Sequence, residues 1–323
     1  ASWLGDEGFF YSSYGKVQGS ELSAKTDMHK VYFHKLGTKQ SEDKHIIGDE
    51  NFKRRCMNIG VSDDERFLIL NASIATNGNE LYVKDLKNNT DWIAIQKGYD
   101  YNTDVLDTKG DFIYIMTDKN APNMKLQKFD IKNPSVWTDV IPETENVLSA
   151  STGGGYIFAK YMKDAVSYMK QFDYNGKLIR EITLPGIGTA SNIGGKETAK
   201  ELYYSFSNYI TPGTTYKFNV ENGTSEIYQK PNVKFNPEDY VSEQVFFTSK
   251  DGTKVPMMIS YKKGIKLNGK NPTILYGYGG FNISVTPNFS VVNAIWMENG
   301  GIYAVPNLRG GEKKKKKWHV AGT

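Results

Sequence analysis

Strand-like runs return through this chain at a nearly fixed interval, and that interval restricts the available folds more than any other feature. Aromatic or aliphatic runs begin near Phe9, Phe67, Phe112, Tyr156 and Leu202, and the last four are about 45 residues apart. Each of those four follows a charged or glycine-rich turn: Ser62-Asp63-Asp64-Glu65, Lys109-Gly110-Asp111, Gly153-Gly154-Gly155 and Ala199-Lys200-Glu201. A second run of the same type comes after each of the five starts, at Val31–His34, Leu81–Leu86, Leu126–Ile131, Met169–Asp173 and Thr215–Val220. In the last of these Tyr216, Phe218 and Val220 share one face, the alternation of a half-buried strand. Some repeats add a further strand, such as Lys177–Ile182 and Ser225–Tyr228. A period of roughly 40 to 50 residues with about four short strands describes a β-propeller blade. Blades bury their faces only against neighbouring blades, so the ring is the cooperative unit. A pair of β-sandwiches is the competing arrangement, but it gives no reason for a fixed period. About five blades are expected here. The first starts abruptly at Ala1, as though in mid-repeat, which leads us to expect a portion of a longer chain.

The pattern changes at Lys230–Tyr240, where Pro231, Pro237 and several polar residues suit a linker. We therefore expect a propeller domain over 1–236 and a second domain over 237–323. Val245–Ser260 reads as a β-hairpin around the turn dipeptide Asp251-Gly252. A polar loop follows, Lys262–Lys270, and then Pro272–Tyr276, an apolar run that reads as a buried strand. Ser290–Gly301 has helical spacing, with Val291, Ala294, Ile295 and Glu298 on or beside one face and a Gly-Gly stop. Ile302–Pro306 reads as another buried strand. Hairpin, strand, helix and strand in that order is the opening of an α/β-hydrolase domain. The fold class expected is thus mainly β, a β-propeller followed by the beginning of an α/β-hydrolase domain.

Within the second part, Tyr276-Gly277-Tyr278-Gly279-Gly280-Phe281 stands out. Closely spaced glycines after a strand let the backbone turn sharply and approach a ligand or another chain. Spacing leaves two readings for Tyr278: a tyrosine packed over an ordinary β-turn, or one whose hydroxyl enters a site.

Charge and composition narrow the function classes. The chain carries 40 basic and 36 acidic residues, a net charge of +4, and five of the positives lie in the run Lys313–Lys317. No broad basic surface argues for nucleic acid, and no aromatic residues interleave that run for stacking. Cys56 is the single cysteine, so neither an intrachain disulfide nor a cysteine metal site is possible. His29, His34 and His45 lie on a polar strand and its flanks without carboxylate partners at metal spacing, so no metal is expected. No apolar run approaches the length of a membrane span. The chain contains no G-x-S-x-G nucleophile elbow. Gly153-Gly154-Gly155 precedes a strand rather than a helix, which argues against a phosphate loop.

Ser249–Met257, Tyr276–Ser284 and Asn307-Leu308-Arg309-Gly310-Gly311 together resemble the prolyl oligopeptidases, and the repeats resemble their seven-bladed propeller, especially in bacterial members. The resemblance implies a serine endopeptidase that cuts short peptides on the carboxyl side of proline, the propeller restricting entry. It gives Tyr278 the role of a hydroxyl donor to the oxyanion hole, and Phe281 a place in the wall of the substrate-proline pocket. It implies short proline-containing peptides as partners, no cofactor, a monomer, and a periplasmic location with the cytoplasm as alternative. Two departures stand beside it. The family's catalytic Ser, Asp and His have no counterpart in this sequence, so this polypeptide alone is expected to be inactive. The segment after Gly311 is Glu312 followed by five lysines, where relatives have glycine and tyrosine. A non-catalytic propeller that binds a peptide or a partner protein is the alternative function.

Overall fold

In the computed structural model, residues 1–14, 27–48, 54–280 and 283–310 are described. They fall into two compact units, Ala1–Ala121 with Lys125–Pro142, and Pro122–Met124 with the residues from Glu143 onward.

The first unit holds three four-stranded antiparallel sheets, each a meander in chain order. They are β1 (Ser2–Leu4), β2 (Gly8–Ser13), β3 (Lys30–Lys35) and β4 (Lys44–Ile47); β5 (Cys56–Val61), β6 (Phe67–Ser73), β7 (Glu80–Asp85) and β8 (Ile93–Gln96); and β9 (Thr103–Lys109), β10 (Phe112–Thr117), β11 (Lys125–Asp130) and β12 (Thr138–Ile141). Alternation along the strands gives the second sheet two apolar faces, one packed on the first sheet and the other on the third. Phe10 and Val31 of the first sheet pack against Met57, Ile59, Leu68 and Leu70 of the second. Phe67, Leu81 and Val83 of the second pack against Ile113, Ile115 and Phe129 of the third. The charged turns join sheets as well. Gly5 N–H donates to Glu65 Oε1 at 2.9 Å. Arg66 donates to the buried Asp85 at 2.8 Å and to Asp111 at 2.8 Å, and to the Gly110 carbonyl at 2.8 Å. One guanidinium thereby ties the turn before β6 to the turn before β10, 45 residues on.

The second unit holds two more meanders: β13 (Val147–Gly153), β14 (Tyr156–Lys163), β15 (Val166–Phe172) and β16 (Leu178–Ile182); and β17 (Thr189–Ala190), β18 (Glu201–Ser207), β19 (Thr214–Asn219) and β20 (Ser225–Gln229). Their shared core contains Phe158 and Met169 from one sheet and Leu202, Tyr204, Phe206 and Phe218 from the other. The repeat therefore corresponds to five sheets, and the two runs recognised in each unit of sequence are their second and third strands.

A sheet of different build follows in the same unit. β21 (Tyr240–Thr248) and β22 (Lys254–Lys262) form the expected hairpin, longer than the sequence indicates, closed by Ser249 N–H to the Thr253 carbonyl at 2.8 Å. β23 (Thr273–Leu275) and β24 (Ile302–Pro306) run parallel, and the sheet order is β21-β22-β24-β23. α1 (Val291–Glu298) lies between the two parallel strands in sequence, as in a βαβ unit.

Two expectations fail here. Pro272–Tyr276 is not buried in this chain: Leu275 is 68% exposed, and among the described residues only β24 pairs with β23. The buried face of α1 is also not the one read from spacing. Ala294 and Met297 are buried while Val291, Val292 and Ile295 are exposed. Trp296 decides the rotation: its indole N–H donates to the Ile302 carbonyl at 2.9 Å, and its ring occupies the space that a side chain on Gly301 would need.

Candidate active-site loop

Tyr278 stands beyond the carboxyl end of β23, where open sheets with parallel strands place ligands. Its backbone is positioned by the two parallel strands. Ile274 is opposite Tyr303 and Leu275 opposite Ala304, and Tyr276 N–H continues the ladder to the Ala304 carbonyl at 2.9 Å. Beyond Tyr276 the chain leaves the sheet and runs back to back with the loop after β24. A side chain on Gly279 would meet the Arg309 carbonyl at 2.2 Å. One on Gly310, whose φ is +98°, would meet the Gly279 carbonyl at 1.8 Å. Two backbones in that contact leave no room for a Cβ on either side, so the glycines answer a close approach.

The tyrosine itself folds back over its neighbour. A Cβ on Gly280 would lie 2.9 Å from the Tyr278 hydroxyl. The ring is partly exposed, and among the described residues no hydrogen-bond partner of its hydroxyl is recorded. The ring thus packs over the glycine turn. Tyr276, read as strand packing, is half exposed at the strand end. Phe281 lies outside the described residues.

The loop after β24 is held from two sides. Arg309 pairs with Asp251 and reaches Ser249 Oγ at 3.4 Å, tying the loop to the β21–β22 turn. The Thr253 backbone N–H, and then the Arg309 guanidinium, hold the Asp251 carboxyl down at about 2. On the other side the buried Asn307 donates from Nδ2 to the Val285 carbonyl at 3.1 Å, while its backbone N–H donates to the Pro256 carbonyl at 2.9 Å.

Side chains from the fifth meander brace this sheet, which sequence reasoning did not foresee. Tyr209, in the loop after β18, buries its ring among Met258, Tyr303 and Val305, edge-on to Tyr303 at 5.4 Å. Burial pushes the Tyr209 phenol far above its ordinary range. Thr189 Oγ1 donates to the Pro287 carbonyl at 2.7 Å, and Phe289 N–H donates to Ser207 Oγ at 3.1 Å. From the fourth meander, the Asp164 carbonyl accepts from Gln244 Nε2 at 2.7 Å. Ser-Asn-Tyr after a strand carries no signal for such a role; only the contact, dozens of residues away in sequence, reveals it.

The three amino-terminal histidines each meet a protein partner. His34 Nδ1 is 2.7 Å from Asp43 Oδ1, and Tyr11 donates to Asp43 at 2.6 Å. His29 Nδ1 accepts from the Met57 N–H at 2.8 Å, and His45 meets the Tyr32 ring edge-on. Among the described residues no group of three or more His, Cys, Asp or Glu could hold a metal ion. No helix among them is long and apolar enough to cross a membrane.

Comparison with known proteins completes the description. The family model for the prolyl oligopeptidase N-terminal β-propeller domain matches residues 1–231. The chain is 66% identical to a prolyl endopeptidase of Elizabethkingia meningoseptica, over 100% of its own length and 46% of that protein's. It is 31% identical to prolyl oligopeptidase A of Galerina marginata, over 99% of this chain and 46% of the relative. A structure of prolyl oligopeptidase B from Galerina marginata, bound to a 35mer hydrolysis and macrocyclization substrate, matches with a TM-score of 0.90 at 28% identity, over 99% of this chain and 47% of that one. The chain thus spans about half the length of the relatives it matches.

Proposed function

The chain belongs to the prolyl oligopeptidase family, and from that premise we propose that its activity is that of a serine endopeptidase cutting short peptides on the carboxyl side of proline. The propeller is assigned to 1–236, where it limits entry to short substrates, and the beginning of the hydrolase domain to 237–323. A change from antiparallel meanders to a sheet with a parallel pair supports that division. The catalytic Ser, Asp and His are assigned to the part of the relatives' length that this sequence does not cover, so the 323 residues alone have no turnover. The partner is a short proline-containing peptide, and the enzyme acts as a monomer. A net charge of only +4 supports no role for nucleic acid.

One observation carries the reading: Tyr278 is presented at the end of a parallel strand with its hydroxyl uncommitted among the described residues. A hydroxyl aimed at the developing oxyanion of a tetrahedral intermediate stabilises the transition state more than the bound substrate. Phe281 is assigned to the proline pocket, a flat wall suited to a compact ring. The test is Tyr278→Phe in the full-length enzyme, with Tyr276→Phe as control. Removing one oxyanion donor lowers kcat by roughly one to three orders of magnitude, with little change in KM. Parental turnover in Tyr278→Phe, or impairment of Tyr276→Phe alone, would refute the assignment.

A further inference from the structure

Asparagine followed by glycine readily loses its side-chain amide, because no Cβ on the second residue shields the backbone nitrogen that attacks. The chain contains five such pairs: Asn77-Gly78, Asn175-Gly176, Asn222-Gly223, Asn268-Gly269 and Asn299-Gly300. The dipeptides are alike, but the fold treats them differently. In four of them the glycine N–H, which must give up its proton, is engaged. Gly78 N–H donates to Asn102 Oδ1 at 2.9 Å, and Asn102 Nδ2 donates in turn to Asn77 Oδ1 at 2.9 Å. Gly176 N–H donates to the Asp173 carbonyl at 3.0 Å, Gly223 N–H to the Asn219 carbonyl at 2.9 Å, and Gly300 N–H to the Met297 carbonyl at 3.0 Å. Each bond keeps the proton on nitrogen and fixes the peptide plane. It must break before the nitrogen can turn toward the side chain. For Gly269 N–H no acceptor is recorded among the described residues.

The setting of Asn268 also favours reaction. Residues 266–270 are all exposed, and among the described residues no backbone–backbone hydrogen bond involves residues 264–271. A peptide plane there can rotate without opening a ladder. By contrast, Asn175-Gly176 and Asn222-Gly223 lie in the β15–β16 and β19–β20 turns, and Asn299 caps α1. The Lys270 N–H donates to Asn268 Oδ1 at 2.9 Å. A donor therefore already faces the oxygen on which negative charge develops as the nitrogen attacks. Lys266 and Lys270 flank the pair, and no acidic residue lies between Lys262 and Asn271. Nearby positive charge favours the deprotonated nitrogen.

We propose that Asn268 is a site of spontaneous deamidation in the folded protein. The Gly269 nitrogen loses its proton and forms a bond to Asn268 Cγ. The Cγ–Nδ2 bond breaks, and Nδ2 takes up a proton and leaves as ammonia. The cyclic imide that results adds one water. Opening at Cγ gives aspartate, and opening at the main-chain carbonyl gives isoaspartate, with the backbone now running through Cγ. Nothing is oxidised or reduced. Either product places a new carboxylate between Lys266 and Lys270, in the connection that leads into β23. The reaction needs only water and is independent of peptidase activity.

Peptide mapping by mass spectrometry, after the intact protein is incubated in heavy-oxygen water at mildly alkaline pH, reads every pair in one experiment. Asn268 should convert about three- to tenfold faster than any other pair, the scale of one backbone hydrogen bond that the others must first break. In a denaturant-unfolded sample all five pairs should convert alike, since only the local dipeptide remains. Asn268→Gln, whose longer side chain closes a ring far less readily, should remove the leading product and leave the slower ones unchanged. Conversion that begins at another pair in the folded protein overturns the inference. So does a folded chain in which Asn268 reacts no faster than Asn175 or Asn222, or does not react while the unfolded chain does.

Discussion

β10 and β23 are both short apolar strands, yet Ile113 and Ile115 in β10 are 0% exposed while Ile274 and Leu275 in β23 are 39% and 68% exposed. β10 sits inside a meander with a strand on either side and another sheet's Phe67 and Val83 against its face. Among the described residues β23 has one neighbour, β24. Apolar composition therefore reports that a strand has surface to bury, and repetition reports what will bury it. The meanders carry both messages. The parallel pair carries only the first, and its partner strand β24, with neighbours on both sides, is buried throughout.

The sharpest way to break this contrast is to empty a meander core. Phe218 is fully buried and meets Phe158 edge-on at 5.7 Å. Phe218→Ala should destabilise the second unit by about 3–5 kcal/mol, read from denaturant melts, because a large cavity cannot collapse between two stacked sheets. A loss below about 1 kcal/mol would mean that the two sheets do not depend on each other.

A second experiment acts on the loop beyond β23. Gly280→Ala puts a methyl where the Tyr278 hydroxyl lies. That hydroxyl is the free end of a side chain, so it should yield and the fold should survive. In the full-length enzyme kcat should fall roughly ten- to a hundredfold, as expected for a donor misplaced by about 1 Å, with an unchanged melting temperature.

A smaller effect concerns acid. Asp251 has a folded pKa of about 2 against 3.8 for the free group. A depressed carboxylate contributes stability above its unfolded pKa and loses it as pH falls through the folded one. The tie between the β21–β22 turn and the loop after β24 should therefore loosen as pH falls from about 4 to about 2. Carbon-detected NMR titration of the Asp251 carboxyl should show the low midpoint, moved upward in Arg309→Leu. The smallest effect is at Leu275: Leu275→Ser should change the stability of this chain by no more than about 0.5 kcal/mol, as at other exposed positions.

What the sequence revealed follows the same division. Phe67, Phe112, Tyr156 and Leu202 mark the second strands of four meanders because those strands carry the buried alternation. The first strands were missed: β17 spans only Thr189–Ala190, and β5 begins at the exposed Cys56. The α1 face was misread because the helix is only eight residues long and one indole, Trp296, sets its rotation. At the site, the glycines and Tyr278 were visible in one stretch of sequence. The contact of Gly279 with Gly310 and the seat of Tyr209 were not, since nothing local announces a partner 30 or 50 positions away.

The close approach of Gly279 and Gly310 bears on how such an enzyme can be altered. A segment spliced in from a distant relative between β23 and α1 would bring its own backbone path at position 279, and the resident loop after β24 would then either collide with it or stand away from it. The two segments are separate in the gene but form one transplantable part. Recombination or loop grafting that carries one without the other should yield folded chains with a misaligned tyrosine, whereas exchanges that move both should preserve it.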